Sequence, residues 1–209
     1  MEDRIVVENC DEGAILCGVF DGHYGPRLAE YGRSNAREMF GQAMAEAATS
    51  PENTSSAAAV AGGSGGIIAS AMRRYFGIVE EGWIKLASSL IAAGDWTPTM
   101  EGSCAIMAYV TPSRLVVGNV GDSRAVLIRV EEPGAGGGAP RLVAEQLTHE
   151  HNARCGDERA RIEAEHPDDP HAVVYVREAR AWYVCGVLQV RCDGLPSRRR
   201  QSLEMGGPL

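Results

Sequence analysis

Aromatic side chains are scarce in this chain, at 6% of 209 residues, with three phenylalanines and three tryptophans. Any core must therefore rest on alanine, valine, isoleucine and leucine. A hydrophobic share of 44% with 23% charged residues is that of an ordinary globular protein, so such a core can form. Excess positive charge is also lacking. The formal net charge is −8, which argues against nucleic acid or an anionic membrane as the main partner. The six cysteines include no C-x-x-C pair and are thin for a disulfide scaffold of this size, which favours reduced thiols. No apolar run is long enough to cross a bilayer. The opening MEDRIVVENCDE is acidic and has no signal-peptide or transit-peptide pattern. These absences lead to the expectation of an intracellular protein, cytoplasmic or nuclear; a segment ahead of Met1 would admit a mitochondrial address.

What is present is a sequence of distinct local patterns. AILCGVF (14–20) is a short apolar run bounded by Gly13 and Asp21 and reads as a buried strand. From Pro26 onward, Leu28, Tyr31, Asn35, Met39, Ala43 and Ala47 recur at three- and four-residue steps, the pattern of an amphipathic helix. SSAAAVAGGSGG (55–66) reads as a flexible loop, part of a stretch of about 51–66. A second helix is expected from about Ile67 to Ala92, with Gly77 and Gly82 weakening its middle. SCAIMAYV (103–110), RLVVGNV (114–120) and RAVLIRV (124–130) are strand-like and separated only by TPS and GDS, which predicts an antiparallel meander. After the loop EEPGAGGGAP (131–140), RLVAEQL reads as another strand and GDERARIEAEH (156–166) as a helix ending at Pro167. Residues 191–209 lack apolar periodicity and carry a local charge of +2, from four arginines against Asp193 and Glu204. Together the elements indicate an α+β fold rather than a parallel βαβ protein.

Three acidic sites stand out: Glu2-Asp3, Asp21-Gly22-His23 after a strand, and Gly121-Asp122-Ser123 between two strands. Taken singly, each is explained by turn chemistry or by a solvated terminus. Taken together, they supply what a hard divalent cation needs. Mg²⁺ and Mn²⁺ take oxygen ligands in octahedral geometry and keep several waters. Two such ions can lower the pKa of a shared water and clamp a phosphate. His149, His151 and Cys155 could be imagined as zinc ligands, but no C-x-x-C partner accompanies them. The arginine run 198–200 reads as a solvated tail rather than a nucleic-acid patch.

The order of MED, GVFDGHYG, EGSCAIMAYV, LVVGNVGDSRAVLIR and LTHEHNA followed by ERARIEAEHP resembles the metal-dependent Ser/Thr protein phosphatases of the type-2C (PPM) family over roughly residues 2–190. FDGH and NVGDSRAVL are the specific motifs, and HEHNA with EHPDDPHAVV is most similar to the plant and pyruvate dehydrogenase phosphatase branches. The resemblance implies an α-β-β-α sandwich, with two antiparallel sheets face to face and helices outside. It further implies that Asp21 bridges two Mg²⁺ or Mn²⁺ ions, that the Gly22 carbonyl binds one of them, and that Glu2 and Asp3 are the family's acidic pair. Glu2 would be the stronger contributor of that pair. Asp122 would serve a third, weaker ion. His23 would protonate the leaving alkoxide, a task suited to imidazole near neutral pH. The implied reaction is hydrolysis of phosphoserine or phosphothreonine in phosphoproteins by a metal-activated water, in signalling, by a monomer.

Three departures accompany the resemblance. The chain starts at the acidic pair, where the family has a preceding strand and an arginine. Tyr24 stands where the family usually has a second glycine. After GVLQV the family's further metal-ligand motifs do not follow, and Asp193-Gly194-Leu195 matches one only superficially. The expectation is therefore a partial phosphatase domain over 1–190, incomplete at its C-terminus and with little or no activity by itself, with a disordered non-family tail at 191–209. Two other readings stay open: a catalytically deficient fragment serving as a regulatory or binding module, and an unrelated metal-binding α+β protein.

Overall fold

The computed structural model describes residues 1–50, 63–132, 139–177 and 180–184. Four antiparallel strands form the central sheet in the order β1 (Arg4–Asn9), β2 (Ile15–His23), β3 (Gly102–Val110) and β4 (Leu115–Val120). Two long helices, α1 (Arg27–Thr49) and α2 (Gly63–Ala92), cover one face. The rest of the described chain holds two separate hairpins, β5 (Val126–Glu131) with β6 (Arg141–Gln146) and β7 (Val173–Val176) with β8 (Ala181–Val184). Between the hairpins lies α3 (Gly156–Glu165). The α+β class is as expected. Among the described residues no helix is long and apolar enough to cross a membrane.

The core sits between the sheet and the two long helices. Alternation along β2 sends Leu16 and Phe20 toward the helices, where they join Val6, Ala105 and Met107. The buried stripe of α1 is Ala29, Gly32, Ala36, Phe40, Ala43 and Ala47; it shares Ala43 and Ala47 with the row that spacing suggested and runs one position later over the first turns, at Ala29 and Gly32 in place of Leu28 and Tyr31. Small residues let α1 approach closely: the Phe20 ring occupies the space a side chain at Gly32 would need. Phe40 stacks on Tyr109 and meets Tyr75 edge-on, so the few aromatics are concentrated here.

Several expectations are corrected. The first strand extends through His23, so Asp21, Gly22 and His23 are its last three residues and not a turn after it. β1 and the β7–β8 hairpin carry strands that spacing did not indicate. α2 starts at Gly63, which takes residues 63–66 out of the expected loop; residues 51–62 lie outside the described residues. The meander ends after β4. β5 leaves the central sheet at Gly121-Asp122-Ser123 and pairs with β6, so this tripeptide is a corner between sheets. The tail at 191–209 lies outside the described residues.

α1 is tied to β1 through Glu30, whose carboxylate accepts hydrogen bonds from Arg33, from Ser34 Oγ at 2.8 Å and from Arg4 Nε at 2.6 Å. Those bonds, Arg33 first, pull its pKa from 4.5 down to about 2. A depressed carboxylate adds stability that is complete above the unfolded value and is lost as pH falls through the folded one. The stability gap between wild type and Glu30→Gln should therefore close between about pH 4.5 and 2 in melting curves. The gap should be modest, because Glu30 is substantially exposed.

Candidate metal centre

Antiparallel pairing carries the acidic motifs to one end of the sheet. β2 finishes with Asp21, Gly22 and His23, which pair with Cys104, Ser103 and Gly102 at the start of β3. β4 ends at Val120, directly before Gly121 and Asp122, and Glu2 and Asp3 immediately precede β1. Along β2 the odd positions face away from the helices, so Asp21 and His23 share the outer face while Gly22 is buried against α1. A carboxylate and an imidazole two residues apart therefore stand side by side.

Asp3 lies within hydrogen-bonding reach of Asp21. Burial, followed by the charges of Asp3 and Asp122, pushes the Asp21 carboxyl above its ordinary pKa, and nearby His23 works in the opposite direction. Glu2 approaches differently, with its backbone oxygen against Gly22: a Cβ added at residue 22 would sit 2.7 Å from that atom. Asp122 is held from two sides. The Cys104 thiol donates to Oδ1 at 3.6 Å, and Asn152 Nδ2 donates to Oδ2 at 2.9 Å. Burial raises the pKa of Cys104, which keeps the thiol a donor.

The corner carrying Asp122 depends on distant residues. Gly121, at φ +99°, turns the chain, and its carbonyl accepts the His151 N–H at 2.9 Å and Asn119 Nδ2 at 3.1 Å. Asn119 also donates to the His149 carbonyl at 2.9 Å. Cys104, Asn119 and Asn152 are thus positioning residues that the motifs did not single out; Asn152 lay inside the quoted HEHNA without a role. Two of the residues considered for zinc have other surroundings: the His151 ring faces Glu158 at 3.4 Å, and Cys155 precedes α3.

The donors suit a hard cation. Asp3, Asp21 and Asp122 offer only oxygen, and their mutual repulsion at Asp21 is the strain a bound cation would relieve. The arrangement is open. Among the described residues no group of three or more His, Cys, Asp or Glu side chains stands close enough together to hold a metal ion by itself. Backbone carbonyls and water would complete the coordination, which suits Mg²⁺ in particular.

The model of the protein phosphatase 2C family matches residues 1–190. The chain belongs to the protein phosphatase 2C family. Plant members dominate its similarities. Probable protein phosphatase 2C 36 of Oryza sativa subsp. japonica is 35% identical over 192 residues, covering 91% of this chain and 43% of that protein. Probable protein phosphatase 2C 68 of Arabidopsis thaliana is 33% identical over 200 residues, covering 91% and 42%. The chain thus spans less than half the length of these relatives. The crystal structure of serine-threonine phosphatase 2C from Toxoplasma gondii superposes with a TM-score of 0.54 at 19% identity, over 86% of this chain and 54% of that one, which supports the protein phosphatase 2C fold.

One local feature bears on the departure at Tyr24. Its φ is +59°, a conformation that favours glycine, and its ring stands exposed and edge-on to His23 with centroids 6.3 Å apart. This member of the protein phosphatase 2C family therefore places a bulky aromatic ring on the rim beside His23.

Proposed function

We propose that this chain carries the metal-binding and proton-donating part of a Mg²⁺- or Mn²⁺-dependent phosphatase acting on phosphoserine and phosphothreonine in proteins. The observation that carries the reading is the convergence of Asp3, Asp21, Asp122 and His23 at one end of the central sheet. Asp21 would hold the ions together with Asp3 and Asp122, and Glu2 and the Gly22 carbonyl would add to the set. When bound, the ions would polarise the phosphoryl group and acidify a water. His23, on the same face as Asp21, would deliver a proton to the departing serine or threonine oxygen. Tyr24 would limit approach to that oxygen from the rim. The excess negative charge fits collection of divalent cations and disfavours nucleic acid as substrate.

The open donor set leads to an expectation of weak binding, with dissociation constants of about millimolar. Calorimetry with Mn²⁺ and, in parallel, hydrolysis of a phosphothreonine peptide with and without chelator test the proposal. Saturable Mn²⁺ binding with chelator-sensitive phosphate release is the expected result. Phosphate release unaffected by chelator, or no heat of binding at millimolar Mn²⁺, would overturn it.

A further inference from the structure

The outer face of the central sheet, turned away from α1 and α2, is apolar and uncovered. Strand register aligns three rows across its four strands, the middle one being Val7–Cys17–Ala108–Val117. The flanking rows run from Ile5 to Asn119 and from Asn9 to Leu115. Of these twelve positions ten are apolar, two are asparagine and none is charged. Ile5, Val7, Ile15, Val19 and Leu115 are exposed, and the other apolar positions are half-buried. Single exposed hydrophobics are ordinary, but a contiguous apolar patch marks an interaction surface. Among the described residues, α3 and the two hairpins make only marginal contact with the central sheet.

Charge and size decide what sits there. A face without charge offers nothing to an acidic or basic partner, whereas a second copy of the same face matches it in chemistry. Charge is confined to one end of the sheet. Asp21 lies one row beyond the Ile5–Asn119 row, opposite Cys104, with Asp3 within hydrogen-bonding reach. A two-fold axis running across the strands reverses their direction between two stacked sheets. The acidic end of each copy then points toward the Asn9–Leu115 end of its partner, so like charges stay apart. A standard interface takes about 20–30 residues a side. Twelve positions are about half of that, which suits a reversible contact and not an obligate dimer.

We infer that two copies of this chain associate face to face through this sheet surface, as a two-fold dimer with a dissociation constant of about 1–100 µM. This differs from the monomer that the resemblance implied. The sheets stack about 10 Å apart with their side chains interdigitated. Val7 and Cys17 belong to the middle row, so they are covered most completely. The row carrying Asp21 lies outside the covered rows, and the metal centre stays open in each copy.

The test reads mass and thiol reactivity, not turnover, so it stands or falls separately from the phosphatase reading. Sedimentation of the 209-residue chain over about 1–200 µM should show the mass rising toward twice that of the monomer, with no larger species. Added salt should strengthen the dimer, because each copy carries a net charge of −8 and no ion pair is lost. Val7 is already 67% exposed, so Val7→Glu and Val7→Lys should both fold. Each should weaken association at least about tenfold. Ile128→Glu is the control: it alters an exposed apolar position on β5 and should leave association unchanged. In the unaltered chain the Cys17 thiol should react with a maleimide severalfold more slowly at the top of the concentration range than at the bottom. Cys155, exposed and just before α3, should show no such change. Any of four results would overturn the inference. These are a monomer mass throughout, dissociation by salt, association that survives in Val7→Glu or fails in Ile128→Glu, and a Cys17 reactivity independent of concentration.

Discussion

Asp21→Asn is expected to eliminate the response of the protein to Mn²⁺ while making the metal-free chain slightly more heat-stable. The opposite signs follow from one cause. In the folded chain burial, and after it the charges of Asp3 and Asp122, push the Asp21 carboxyl up. Removing its charge relieves that repulsion when no cation is present. It also removes the carboxylate around which the other two gather. Loss of groups that merely orient metal ligands costs about 10–100-fold, so loss of a ligand should reduce phosphopeptide hydrolysis by at least about 100-fold. Melting curves with and without Mn²⁺, read beside the hydrolysis assay, separate the two effects. Retention of the Mn²⁺-induced shift in Asp21→Asn would remove Asp21 from the ligand set.

His23→Ala gives the contrasting pattern. It should keep the Mn²⁺ shift and lose about 100-fold in hydrolysis of the peptide, as expected when a general acid is removed. An aryl phosphate, whose leaving group needs little help from a proton, should show a much smaller deficit. Asp21→Asn should show no such rescue.

Asp21 and His23 were legible as the FDGH motif at the end of an apolar run, but their shared face was not, because that run read as a strand ending at Phe20 and the strand continues through His23. Glu2, Asp3 and Asp122 were legible as short acidic motifs, but their meeting was not. It depends on the register that sets Asp21 opposite Cys104 and on the corner at Gly121. That corner read as a hairpin turn because Gly-Asp-Ser has turn composition. What sends β5 away is a pair of long-range attachments, His151 N–H to the Gly121 carbonyl and Asn152 to Asp122. No local spacing reports them. β1 was hidden for another reason. Ile5 and Val7 are 69% and 67% exposed, so its apolar residues mostly point outward and give no sign of burial. The early start of α2 ran against composition, since Gly-Ser-Gly-Gly favours loops; tertiary setting overrides propensity there.

Gly22→Ala should damage the site more than its size suggests. The added methyl would lie 2.7 Å from the Glu2 backbone oxygen and 3.2 Å from Ala29 Cβ. The oxygen belongs to backbone and the methyl to a small residue in the closely packed first turn of α1, so neither can rotate aside. Either the segment before β1 or the start of α1 must move. Overpacking of this kind costs about 1–3 kcal/mol. If the Glu2 segment yields, Asp3 leaves Asp21 and the cation loses a ligand. Gly32→Ala is the comparison, because it too adds a methyl at the α1–sheet contact, this time against the Phe20 ring. Some of its cost is offset by the gain of about 1 kcal/mol from replacing a mid-helix glycine. It lies away from Asp3, so the Mn²⁺ response should survive. Chemical denaturation should therefore show both variants weakened, while calorimetry shows Mn²⁺ affinity reduced at least about tenfold in Gly22→Ala alone. Equal Mn²⁺ affinity in the two variants would mean that the approach of Glu2 to Gly22 plays no part in holding the site.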